Sequence, residues 1–347
     1  MNFSARYWPR ASQMGALGGP LKAAALVFAL SILAACSQPE DWMIQGSAMG
    51  TSYTIRISHP PADLSQDELA TMLAAEIERV EALMSTYRPE SELSQFNRSD
   101  STDWVHVSDD TAIVVEAAQE ISRKTNGAFD ITVGPLVDIW GFGPRMDVNG
   151  RPSDEEIAQA LSHVGYQKLE VRHEPPALRK SDPLLHVDLS AIAKGYGVDQ
   201  AAQVLIDQGI EDYMVEIGGD LKAAGYNHEG NPWRIAVERP IPGDRALLEV
   251  VAVEDMAIAT SGDYRNFFMQ DSVLYSHTLD SRTGRPVTHK IASVSVRARS
   301  AMLADGWATA LLAMGEKGLE IAAEQEIAAL MVERDGDALH EKGSKNW

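Results

Sequence analysis

A carboxylate and a hydroxyl stand four residues apart in Asp305-Gly306-Trp307-Ala308-Thr309. On a helix that spacing puts Asp305 and Thr309 on one face. Both are hard oxygen donors, the kind Mg²⁺ takes together with water and phosphate oxygens. A solvated Asp beside a core-facing Thr fits the same five residues. A second acid, Asp188, closes an apolar stretch and leads through Leu189-Ser190-Ala191-Ile192-Ala193 into Lys194-Gly195-Tyr196-Gly197. Small residues at such a turn let backbone groups approach a ligand closely. Asp188 is able to accept from a ring N–H or a hydroxyl, and Lys194 to meet a phosphate. An ordinary capped strand-to-helix turn has the same composition.

Two further segments carry chemical potential. Ser276-His277-Thr278-Leu279-Asp280-Ser281-Arg282-Thr283-Gly284-Arg285-Pro286 is a turn rich in hydrogen-bonding groups. Its His277 can exchange protons near neutral pH, although a lone histidine is more often structural. Gly127-Ala128-Phe129-Asp130-Ile131-Thr132-Val133-Gly134-Pro135-Leu136, followed by Trp140-Gly141-Phe142-Gly143, sets glycines beside aromatics. That suits a wall against a planar ring, and a packed apolar turn equally. Other familiar sites are missing. There is no P-loop and no G-x-S-x-G elbow, and Gln200 stands where a Rossmann turn after Gly195 and Gly197 needs a third glycine. One cysteine and nine histidines give no zinc framework.

That cysteine, Cys36, excludes an intramolecular disulfide. Arg6, Arg10 and Lys22 precede an apolar run over residues 23–35, and no acid occurs before Glu40. This is the layout of a secretory signal, too short to span a bilayer comfortably. The run ends in Leu33-Ala34-Ala35-Cys36, similar to a bacterial lipobox. The expectation is a signal peptide over 1–35, a lipidated Cys36 on the periplasmic face of a bacterial membrane, and one folded domain over 36–347. Cleavage there takes the net charge from −20 to near −23. So acidic a chain is a poor general nucleic-acid binder, although a bound cation or helix N-terminus still lets it hold an anionic ligand.

These residues need elements to hold them. Residues 46–58 read as one strand. Residues 67–87 read as a helix on the spacing of Leu69, Met72, Leu73, Ile77, Val80 and Met84. Ser108 caps a second helix that stops near Asn126-Gly127, and Ser153 a third that runs to about residue 164. Strands are expected at 168–172 and 184–189, a helix at 193–208 and several strands across 213–280. A strand at 291–298, a helix at 300–314 and a closing strand at 327–333 complete the order. Strands and helices mix without strict βαβ alternation, which indicates an α+β fold.

Taken together, the strings resemble the FAD:protein FMN transferase family, called ApbE and formerly thiamine biosynthesis lipoproteins. They are the lipobox, Gly46-Ser47-Ala48-Met49-Gly50-Thr51, Met84-Ser85-Thr86-Tyr87, Ser91-Glu92-Leu93-Ser94-Gln95-Phe96-Asn97, the stretch from Gly127 to Gly143, Asp188 to Gly195, Ile217-Gly218-Gly219-Asp220-Leu221, residues 260–266, the His277 turn and Ala304 to Ala310. Each is moderately specific, and the ordered set is highly specific. Ser281 stands where the family often has proline.

The resemblance implies one compact α+β catalytic unit of two-lobed, T-fold-like architecture. It implies that Met49 and Tyr87 line a flavin site, with Ala128, Phe129 and Asp130 against the isoalloxazine or adenine end. Asp188 would contact FAD, and Lys194 would lie near it at a position where family members vary. Asp305, Thr309 and the Ala191 carbonyl would bind Mg²⁺, and His277 is the candidate for proton transfer. The implied reaction moves FMN from FAD onto a threonine hydroxyl of an acceptor protein and releases AMP. In the family, acceptors are periplasm-facing subunits of membrane redox complexes. Two alternatives share these residues: a Mg²⁺-dependent FAD pyrophosphatase yielding FMN and AMP, and a non-catalytic flavin-binding lipoprotein.

Overall fold

Met49 and Gly50 both adopt left-handed backbone, with φ of 52° and 71°. Two such residues in a row make a turn that matches strand twist, so residues 46–58 form a hairpin, not the single strand expected. Its arms are β1 (Trp42–Ala48) and β2 (Thr51–Ile57). The computed structural model describes residues 41–144, 150–241, 246–264, 267–271, 273–336 and 338–347. The signal segment and Cys36 lie outside them.

The hairpin opens an eight-stranded sheet. It continues with β3 (Tyr213–Ile217), β4 (Asp220–Ala224), β5 (Met256–Gly262), β6 (Ile291–Ala298), β7 (Ala328–Asp335) and β8 (Ala338–Gly343). Each strand pairs antiparallel with the next one in the chain, so spatial order equals sequence order. Excursions between neighbouring strands carry everything else.

The longest excursion, residues 58–212, holds α1 (Gln66–Met84), α2 (Glu92–Arg98), α3 (Asp109–Lys124), α4 (Gly134–Ile139), α5 (Asp154–Leu161) and α6 (Ala193–Asp207). The starts of α1, α2, α3 and α5 follow from side chains. Ser65 with Glu68 and Ser153 with Glu156 form complete capping boxes, and Ser91 and Ser108 each accept a first-turn N–H. After β6 come α7 (Ala301–Met314), capped by Ser300, and α8 (Gly318–Glu324). The short helix α2 and the strand β8 were not expected from the sequence.

Alternation along the strands feeds two apolar layers. Ala257 and Ala259 of β5 face the helices, with Val215 and Ile217 of β3 buried against α1 and α6. Ile258 faces the other way, onto a hairpin of Trp233–Glu238 and Leu247–Val253.

The expected strand over 184–189 does not form. Among the described residues its ladder contact is a single bridge between His186 and Val133, with the Asp188 N–H donating to the Ile131 carbonyl at 2.7 Å. Side chains satisfy other groups of its backbone. Asn97 of α2 donates through Nδ2 to the Val187 carbonyl and accepts the Val187 N–H at Oδ1, both at 2.8 Å. Buried Lys180 donates to the Leu185 carbonyl at 3.2 Å. The strand in this region is Pro176–Lys180, paired with Leu169–His173. The segment therefore runs extended into α6 without a partner strand.

Candidate active site

Gly195, in the first turn of α6, has no room for a side chain: a Cβ there would lie 2.2 Å from the Ala301 carbonyl oxygen of α7. This close approach brings the start of α6 onto the Asp305 side chain. The Gly195 N–H donates to Asp305 Oδ2 at 3.1 Å. A continuing helix would aim that N–H at the carbonyl of Ala191, four residues back. Among the described residues nothing donates to the Ala191 carbonyl.

Lys194 joins the same corner. Its Nζ donates to Asp220 Oδ2 at 2.6 Å and lies 3.3 Å from Asp305 Oδ2. Asp220 follows the Gly218-Gly219 turn between β3 and β4, where φ is 60° and 97°. Both acids are 3 % exposed. Two buried carboxylates thus face one ammonium. Burial, with Asp220 alongside, pushes the Asp305 carboxyl up to about 7. Burial works against the Lys194 charge, but Asp220 and Asp305 outweigh it and hold the ammonium above the ordinary lysine value. Uncompensated negative charge of this kind favours an added cation.

One turn along α7, Thr309 Oγ1 lies 2.9 Å from Ser261 Oγ at the end of β5. The oxygen set of Asp305, Thr309 and the Ala191 carbonyl is hard and fits Mg²⁺. Among the described residues no three His, Cys, Asp or Glu gather into a metal cluster. A cation here therefore depends on the hydroxyl and carbonyl oxygens as well as the acids.

These residues line a cavity of about 320 Å³, within the range of small-molecule sites. Its lining also includes the apolar and aromatic residues Ala128, Phe129, Val133, Val137, Phe142 and Leu279. Phe142 stands edge-on to His277, centroids 6.3 Å apart. The Tyr87 hydroxyl donates to the Phe142 carbonyl at 3.2 Å, while the residue is 60 % exposed, so its ring forms the rim. Burial first, then Asp188, raises the Tyr87 phenol above its ordinary value. Charged, hydroxyl and aromatic side chains thus line one cavity.

The ApbE family model matches residues 49–331. The chain belongs to the ApbE family. The FAD:protein FMN transferase of Vibrio cholerae is 44 % identical over 320 residues, covering 92 % of this chain and 95 % of that protein. That of Escherichia coli K12 is 38 % identical over 312 residues, covering 89 % and 87 %. The solved flavin transferase ApbE from Vibrio cholerae superposes with a TM-score of 0.82 at 43 % identity, covering 88 % of this chain and 98 % of the other. The apo flavinyl transferase ApbE of Pseudomonas stutzeri gives 0.81 at 36 %, covering 88 % and 95 %. The α+β class follows from these matches as well as from the sheet and helices described above.

Within this ApbE member, ten of the residues singled out from the sequence line one cavity: Tyr87, Ala128, Phe129, Asp130, Asp188, Ala191, Lys194, His277, Asp305 and Thr309. Met49 does not. It occupies the β1–β2 turn, donates its N–H to Glu81 Oε2 at 2.8 Å and directs its sulfur at Gly197. Asp130 lines the cavity, but its carboxylate holds the loop together. Oδ1 accepts from the Thr132 N–H and hydroxyl, and Oδ2 from the Tyr166 N–H at 2.6 Å. Asp188 Oδ1 accepts the Ser190 N–H at 2.8 Å, shaping the turn that presents Ala191.

Asp220 and Ser261 were not singled out from the sequence as site residues. Both lay inside recognised strings, and the available signal was an acid directly after a Gly-Gly turn.

Proposed function

We propose that this chain is an enzyme that transfers FMN from FAD to a threonine hydroxyl of an acceptor protein, with Mg²⁺, and releases AMP. The observation that carries the reading is that Asp305, Thr309 and Ala191 line one cavity together with Phe129, Phe142 and Tyr87. The relatives' names supply flavin transfer. The cation and the threonine rest on the residues and on the family resemblance.

The chain's own groups divide the task. Phe129, Phe142 and Tyr87 accept the isoalloxazine ring against apolar surface. Asp188 and the small-residue turn set the diphosphate beside Lys194, whose ammonium neutralises part of its charge. Asp220 holds that ammonium in place. His277 takes the proton from the attacking threonine Oγ onto an imidazole nitrogen. A bond forms between that oxygen and the FMN-side phosphorus, and the bond from this phosphorus to the bridging oxygen breaks. AMP departs with that oxygen. Mg²⁺, when held by Asp305, Thr309 and the Ala191 carbonyl, supplies charge neutralisation on the diphosphate.

The direct test incubates the protein with FAD, Mg²⁺ and a periplasm-facing redox subunit bearing the target threonine. Transfer adds one FMN to the acceptor mass and releases AMP. Free FMN and AMP with an unmodified acceptor would instead make the chain a pyrophosphatase. No AMP at all would leave a flavin carrier.

Lipid anchoring at Cys36 on the periplasmic face belongs to the same proposal, supported by the lipobox. Among the described residues no helix is long and apolar enough to cross a membrane. Cys36→Ser should release the protein into the soluble fraction, and retention in membranes would remove the anchor from the reading.

A further inference from the structure

Three hydroxyl side chains on or ending helices bond back to the carbonyl four residues earlier: Thr71 to Asp67 at 2.8 Å, Ser122 to Ala118 at 2.9 Å and Thr125 to Ile121 at 2.9 Å. This is the ordinary resting place of such a group. Thr309 departs from it. Its hydroxyl makes no bond to the Asp305 carbonyl and crosses to Ser261 Oγ on the sheet, at 2.9 Å. Thr309 and Ser261 sit 48 residues apart, on α7 and at the end of β5, and both face the cavity.

We propose that Ser261 is a positioning residue that turns the Thr309 hydroxyl toward the cation. The inference rests on the metal reading above. A hydroxyl that gives a lone pair to a cation must send its hydrogen elsewhere. Ser261 Oγ is the acceptor that the Thr309 hydroxyl already faces, at 2.9 Å, so cation binding fixes the direction of the pair: Thr309 donates and Ser261 accepts. The Ser261 hydrogen is then left for the cavity, where a substrate oxygen can take it. Such outer partners of metal ligands typically contribute about 10- to 100-fold to metal affinity.

The experiment titrates Mn²⁺ into the chain with FAD present and acceptor absent, reading free Mn²⁺ by electron paramagnetic resonance. Wild type, Ser261→Ala, Ser261→Thr and Asp305→Ala are compared, with circular dichroism to confirm folding. Ser261→Ala should weaken cation binding about 10- to 100-fold, and Ser261→Thr should restore most of it. In transfer assays the alanine variant should reach half its maximal rate only at a higher magnesium concentration than wild type. Unchanged Mn²⁺ affinity in folded Ser261→Ala, or equal losses in the alanine and threonine variants, would overturn the inference alone. A wild type that binds no Mn²⁺, or that loses none through Asp305→Ala, would overturn the metal reading and the inference with it.

Discussion

Gly195 and Asp305 are joined across two helices by one backbone-to-carboxylate hydrogen bond of 3.1 Å, which exists because Gly195 has no side chain. Gly195→Ala forces a methyl onto the Ala301 carbonyl, a backbone atom with no rotamer to retreat into. The variant should lose about 1–3 kcal/mol by overpacking and most of its transfer activity as α6 withdraws from Asp305. Urea unfolding and an FMN-transfer assay read the two effects. Gly306→Ala is the contrast. Its Cβ would meet the flexible end of Ile121 at 2.7 Å, so its loss should be the smaller.

Asn97 replaces a neighbouring strand for the stretch that leads to Asp188 and Ala191. Asn97→Ala leaves the Val187 N–H and carbonyl unpaired, at about 1–3 kcal/mol for each buried group. Stability should fall, and FAD should bind more weakly because the turn beneath it loosens. Flavin fluorescence titration checks the second point. Unaltered affinity in the destabilised variant would separate this segment from the site.

Asp110 ties three helices together, accepting from Arg79 Nη2 at 2.9 Å and from the Tyr196 hydroxyl. The Arg79 guanidinium holds the Asp110 carboxyl below its ordinary value. A depressed carboxyl binds its proton less tightly folded than unfolded. Its contribution is complete above the ordinary value near 4 and disappears as pH falls through the lower folded value. Asp110→Asn should therefore cost about 1 kcal/mol at pH 7, because Arg79 is partly exposed and solvent screens the pair. It should also flatten the acid limb of the stability curve. Parallel acid limbs in the two proteins would refute the assignment.

Asp305→Ala and His277→Ala should fail differently. Removing Asp305 leaves Lys194 its shorter contact with Asp220, so the fold survives while transfer stops. Removing His277 takes a ring from beside Phe142. FAD should still bind, and the rate should fall by about 10²–10⁴-fold, as for loss of an acid–base group. Acceptor mass spectrometry over time distinguishes the two. Full turnover by the Asp305 variant with magnesium present would end the metal assignment.

Much of this was legible in advance because it is local. Ser108 and Ser153 announced helix starts through their own hydroxyls, and Asp305 with Thr309 announced a shared face through their spacing. What escaped depends on distant partners. The 184–189 segment has a strand's composition, but the N–H and carbonyl of its Val187 go to Asn97, far away in sequence. The Met49-Gly50 turn was hidden because methionine rarely adopts positive φ. Asp220 gains its role only when Lys194, 26 residues earlier, reaches it across the start of α6.

Because β2 and β3 are neighbours separated by residues 58–212, an order of events is built into synthesis. A chain emerging from the ribosome offers β2's outer edge long before Tyr213–Ile217 exists to cover it. Until then that edge is a row of unanswered amides, open to any passing strand. The excursion's helices must collapse meanwhile, and their closure governs how long the nascent polypeptide stays vulnerable to aggregation.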